Sequence, residues 1–174
     1  MPRTPTLVNR LFGALFLLLT AILPPAGGQV TGSDGLPDGL YMVIGDSAEI
    51  PADLPTQWVT YNRMFHEGDI SPATRLRLAT DDFVPLLLQS DPIAEVQQGE
   101  KKRLLLSLSP EASEKLKTFT ASRVDRTAAI VIDGEAVSAH RIRTALTSGM
   151  LQISWCGEYA CQVLQARLVR NVED

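Results

Sequence analysis

The sequence predicts an α+β fold, an antiparallel sheet with helices packed on one face, and three observations lead there. An Asp-Gly step, Asp133-Gly134, joins two β-prone runs between residues 128 and 139. Two segments near residues 110 and 158 carry the start and stop signals of helices. The elements follow one another as β-α-β-β-α, loosely repeated, and packing the helices on one face of an antiparallel sheet satisfies such an interspersed order.

The first residues read as an address. Arg3 and Arg10 form a basic head, Leu11 to Leu23 an apolar run, and Ala26-Gly27-Gly28 a small-residue cleavage site before Gln29, so residues 1–28 are expected to be an export signal. The run is short of the roughly 20 residues that a membrane helix needs, although retention as an uncleaved anchor is the alternative. No cysteine lies near the cleavage site to accept a lipid. No later segment is apolar enough to be an integral span. Residues 29–39 are rich in Gly, Asp and Pro and are expected to form a flexible leader. Residues 40–72 are expected to be an N-terminal appendage, and residues 73–172 the main domain.

Within the appendage, Leu40 to Ile44 reads as a strand. Residues 56–68 suit a short helix, with Trp58, Tyr61 and Phe65 at helical spacing between a Thr56 cap and Gly68, although Trp58 to Tyr61 alone is β-prone. Residues 75–79 alternate as a strand. Residues 81–89 are expected to form a short helix with Pro85 in its first turn, ended by Asp91-Pro92. Residues 93–97 and 103–109 flank a polar turn as a second hairpin, with Leu104, Leu106 and Leu108 on one face. Ser109-Pro110 supplies an N-cap and an N1 proline to a helix that carries Ala112, Leu116 and Phe119 on one stripe.

Asp133-Gly134 fits a type I′ turn, which needs φ > 0 at both positions; Asp133 therefore reads as a turn residue before a catalytic acid. The arm before it, Ala128 to Ile132, is apolar without alternation, as a strand covered on both faces would be. Residues 149–155 alternate, with Leu151, Ile153 and Trp155 on one side. The last helix runs from Glu158 to about Arg170, with Ala160, Val163, Leu164 and Leu168 on one stripe and arginines near its end, as the helix dipole prefers.

The net charge of −4 argues against nucleic acid or an anionic membrane as partner. Removal of residues 1–28 would take away two arginines and no acid. Cys156 and Cys161 are the only cysteines. In an oxidising compartment a structural disulfide is favoured if Cys156 closes a strand and Cys161 lies a turn into the next helix, two buried free thiols being the alternative. With no second pair and no nearby histidine, zinc is not expected, and no motif calls for a cofactor.

Gly45-Asp46-Ser47 after an apolar strand is similar to the first block of GDSL-type esterases, with Ser47 as nucleophile. The later blocks are missing, and neither His66 nor His140 has an Asp three residues before it. A strand-end turn is the better reading. His66, Glu67 and Asp69 supply too few donors for a metal. His140, Arg141 and Arg143 could bind an anion, although paired arginines on a connector are more often solvated surface. Trp58, Tyr61 and Phe65 are candidates for an interaction patch, with core as the commoner fate of such residues.

Residues 104–155 carry a further pattern: Phe119-Thr120 at a helix end, Ala129-Ile130-Val131-Ile132-Asp133-Gly134, Val137-Ser138-Ala139, Ile142, Gly149 and Gln152-Ile153, with Ala160 beyond. Order and spacing over residues 93–170 resemble the head subdomain of the periplasmic loop of SecD, the bacterial protein-export accessory membrane protein. His140 stands where that family usually has proline, Trp155-Cys156 replaces its usual glycine, and its membrane spans are absent. The resemblance implies a ferredoxin-like α+β head outside the cytoplasmic membrane, able to touch polypeptide. The expected function is thus an exported, periplasmic or secreted, non-enzymatic binding or accessory protein, whose partner is a protein or extended peptide of the cell envelope. A small envelope inhibitor or immunity-type protein is the alternative.

Overall fold

The computed structural model describes residues 35–45, 53–62, 74–96 and 102–172. Strands β1 (Gly39–Val43), β2 (Thr56–Tyr61), β3 (Thr74–Pro85), β4 (Ile93–Val96) and β5 (Lys102–Ser107) precede helix α1 (Pro110–Ala121). Strands β6 (Thr127–Ile132), β7 (Glu135–Arg141) and β8 (Met150–Cys156) then lead into helix α2 (Glu158–Leu168), which ends in a 3-10 turn, Val169–Asn171.

The chain is mixed α+β, as expected, but the single ferredoxin-like antiparallel sheet is not what forms. Five strands close into a barrel in the order β1-β3-β2-β7-β6, and β4-β5-β8 make a separate sheet. β1 and β2, from the segment 40–72, pair with β3, β6 and β7 from the segment 73–172. Closure depends on β3, whose first half pairs with β2 (Tyr61↔Thr74 to Thr56↔Ala79) and whose second half pairs with β1 (Leu40↔Val84). β1 in turn pairs with β6, Leu40 opposite Ile130.

Two expected helices are strands. Residues 56–61 form β2, where Val59 is buried between exposed Trp58 and Thr60; the β-branched and aromatic run decides in favour of the pleat once β3 offers it a partner. Residues 81–85 continue β3, and Pro85 sits at its last position, where its missing N–H costs no interior ladder bond.

The remaining elements form where expected. Ser109 Oγ accepts from the Ala112 N–H at the start of α1, with Pro110 in its first turn, and Ala112, Leu116 and Phe119 are buried. Asp133 and Gly134 have φ of 51° and 76° between β6 and β7, the left-handed conformations that the turn requires. β4 pairs with β5 and β5 with β8. The small sheet turns Leu104, Leu106, Leu151 and Ile153 towards the main core, which Leu164 and Leu168 of α2 complete.

The core has two parts. A small cluster of Tyr41, Val59, Leu78, Ala129, Val131 and Ala136 fills the barrel. Tyr41 stacks on Phe83 with ring centroids 4.8 Å apart and donates its hydroxyl to the Pro37 carbonyl at 2.8 Å. Burial, and then the nearby Asp38 charge, push its phenol well above the ordinary value. The larger cluster lies outside the barrel wall, beneath the small sheet and both helices.

Cys156 closes β8 and Cys161 lies in the first turns of α2; the two are joined in a disulfide with Cα atoms 5.3 Å apart. Asp133, beyond its place in the turn, holds α2 to the barrel through Arg170 and Arg167, while its backbone N–H donates to Asp38.

Candidate functional site

Three adjacent strands place a row of side chains on the outer barrel wall. Leu40 lies opposite Ile130, Ile130 opposite Ser138, and Ala128 opposite His140. Directly paired residues share a face, so Leu40, Ala128, Ile130, Ser138 and His140 form one surface. It floors a cleft of about 690 Å³. The connector from Ile142 to Ser148 closes one side, anchored where the Leu146 N–H donates to the buried Thr120 hydroxyl of α1 at 2.9 Å. The other side is the small sheet, with Arg103 and Leu105 of β5 and Met150, Leu151, Gln152 and Ser154 of β8.

One strand edge faces this space. Consecutive residues of a strand point to opposite faces, so a cleft touched by Met150, Leu151 and Gln152 in succession runs along the edge of β8. β8 is the outer strand of its sheet. On the barrel side, one edge of β7 is taken by β6, whereas the other pairs with β2 at Ala136 alone, opposite Tyr61. Beyond Ala136 that edge has no strand partner among the described residues. The cleft therefore runs from the outer face of β7 to the edge of β8, which has backbone donors and acceptors to offer.

Its polar chemistry is one-sided. Ser138 is completely buried, and its Oγ is the one buried side-chain polar atom among the described residues without a hydrogen-bond partner. Buried hydroxyls are normally bonded, and leaving one unmade costs about 1–3 kcal/mol. Arg103, His140, Arg141 and Arg143 contribute to the lining, with no Asp or Glu. Arg103 pairs with Glu95 and Arg141 with Asp125; Arg143 makes no ion pair among the described residues. His140 sits at the mouth, where partial desolvation holds its imidazole below the ordinary value. Ser138 Oγ makes no hydrogen bond to His140.

The candidates read from the sequence lie elsewhere. Trp58 is exposed on β2, with the Arg75 guanidinium 5.7 Å from its ring, and Tyr61 is half-buried against the barrel interior. They do not share a face, and neither lines the cleft. Phe65, Ser47 and His66 lie outside the described residues, as does the expected signal 1–28. The sequence reading set an anion site at His140, Arg141 and Arg143 against solvated surface, the commoner outcome; all three are exposed and all three line the cleft. Ser138 enters the sequence reading only within the run Val137-Ser138-Ala139, and nothing local marks a hydroxyl that will be buried without a partner.

Fold and cleft together define a small α+β domain with a ligand-sized opening and no cluster of metal-ligating side chains among the described residues. No protein-family model matches the chain, and no curated protein matches it. Among solved structures it is similar to a membrane component SecDF that enhances protein export, with TM-score 0.48 and 21% identity over 80% of this chain and 64% of that one. SecDF in its super-membrane-facing form gives TM-score 0.47 and 21% identity over 80% of this chain and 19% of that one. The translocon-associated membrane protein SecDF from Thermus thermophilus gives 0.38 and 16%, over 76% and 29%. The chain spans less than two thirds of the length of each of these structures. Among the described residues no helix is long and apolar enough to cross a membrane.

Proposed function

We propose that this chain is an exported, non-enzymatic binding or accessory protein of the cell envelope that holds polypeptide in an extended conformation. The observation that carries the reading is the cleft along the edge of β8, which has no strand partner on that side among the described residues. A segment laid into it adds a strand, gaining main-chain hydrogen bonds from that edge while its side chains enter the apolar floor of Leu40, Ile130 and Leu146. The reading of residues 1–28 as an export signal supports a location in the periplasm or outside the cell, where extended chains emerge from translocation.

Binding to a permanently unfolded, reduced and alkylated protein, measured by fluorescence anisotropy against the same protein folded, tests the reading. Micromolar binding to the unfolded form, lost on filling the cleft with Ser138→Phe and with the exposed connector change Thr144→Trp, is the expected result. Equal binding by the filled, folded variants moves the function away from the cleft.

A further inference from the structure

The lining charges narrow what the cleft takes. In a chain with a net charge of −4, every charged side chain lining this space is an arginine. Arg103 and Arg141 are already paired with carboxylates, but Arg143 stands at the mouth without an acidic partner among the described residues. Ser138 Oγ is buried with no hydrogen-bond partner, and Leu40, Ile130, Ile142 and Leu146 line the same cleft. The space thus offers an exposed positive charge, an unfulfilled hydroxyl and an apolar lining, bordered by the edge of β8.

We infer that the cleft captures the free C-terminal end of an extended polypeptide: the terminal carboxylate at Arg143, with Arg141 beside it, and the last apolar side chain beside Ser138. A guanidinium binds a carboxylate through charge-assisted, often bidentate hydrogen bonds. The Ser138 hydroxyl can then donate to a backbone carbonyl of the bound segment, which removes the one unsatisfied buried polar atom. An anionic amphiphile would also suit arginine and an apolar floor. It has no peptide groups for the β8 edge, however, and that edge favours a chain end over an acyl chain.

The inference rests on the polypeptide-holding reading, and its test separates the two. The purified full-length chain is titrated into a fluorescein-labelled ten-residue peptide of extended, apolar-rich sequence ending in Val-Leu, as the free acid and as the C-terminal amide. The free acid is expected to bind about tenfold tighter, the size of one charge-assisted hydrogen bond. Arg143→Gln, an exposed change that breaks no ion pair described above, should reduce that preference to under threefold, and Arg143→Lys should restore part of it. Raised salt should also narrow the gap, because the charge lies at the mouth. Equal binding of acid and amide overturns the chain-end inference and leaves the polypeptide reading standing. Failure of both peptides to bind overturns both. Binding of dodecanoate in place of either peptide overturns the inference in favour of an amphiphile.

Discussion

Gly149 is the residue whose replacement tests the packing most sharply. It joins the connector to β8 with φ of +68°, and a Cβ built there would lie 2.5 Å from Ser113 Oγ and 3.1 Å from Ser113 Cβ. Its carbonyl accepts from the Leu108 N–H at 2.9 Å, and Leu108 leads directly into the cap of α1. Gly149→Ala therefore meets two separable costs. The left-handed backbone disfavours any residue with a Cβ by about 1–2 kcal/mol. The contact with the first turn of α1 adds about 1–3 kcal/mol, the usual range for forcing atoms into a filled space. A loss of about 2–5 kcal/mol in urea unfolding followed by far-ultraviolet circular dichroism, with an unchanged m-value, is expected. Adding Ser113→Ala removes the Oγ but not the Cβ, so the double variant should recover at least about 1 kcal/mol and remain below the parent by the backbone share. A single variant within about 0.5 kcal/mol of the parent, or complete recovery in the double variant, would refute this account of the junction.

Other changes probe the remaining supports. Replacing both Cys156 and Cys161 by Ala opens a loop of sequence separation 5, and the loop-entropy relation gives a loss of about 2 kcal/mol, measurable by the same denaturation. Leu106→Ala deletes a fully buried side chain beneath α2 and should cost about 2–5 kcal/mol; a smaller value would mean that the small sheet collapses onto the space left. His140 has a folded value below the 6.5 of a free imidazole because the cleft wall desolvates it. The folded state therefore binds its proton less readily than the unfolded state. Stability should be constant above that range and fall as pH drops through 6.5 towards the folded value, and His140→Gln should flatten this slope. Nuclear magnetic resonance titration of the ring gives the folded value directly, and one at or above 6.5 would contradict the assignment.

What the sequence makes legible is what is local. The turn at Asp133-Gly134, the Ser109-Pro110 start of α1, the β4-β5 hairpin, the alternation of β8 and the Cys156–Cys161 bridge all depend on residues close in the chain, and all are seen. The misread segments are those whose local signals are balanced. Trp58 and Tyr61 satisfy a helical stripe as well as a pleat, and only the neighbouring β3 decides between them. Phe83, Val84 and Pro85 are likewise drawn into a strand by β1, a partner more than forty positions upstream. The barrel is invisible to any window of sequence because Leu40 must find Ile130 to close it. The cleft was half legible: His140, Arg141 and Arg143 advertise a basic connector, but the free edge of β8 and the orphaned Ser138 hydroxyl exist only once two sheets stand side by side.

The closure of the barrel through β1 has a consequence in time. As the chain emerges from its N-terminus, β1 is among the first strands available, yet one of its two partners, β6, lies beyond five intervening elements. Pairing across so long a stretch of chain is slow, because the ordering entropy is spent before the contact is made. Until β6 arrives, β1 offers an open edge and the apolar barrel interior has no wall on that side. A chain built this way stays open until its last third, which carries the strand that closes it, has been made.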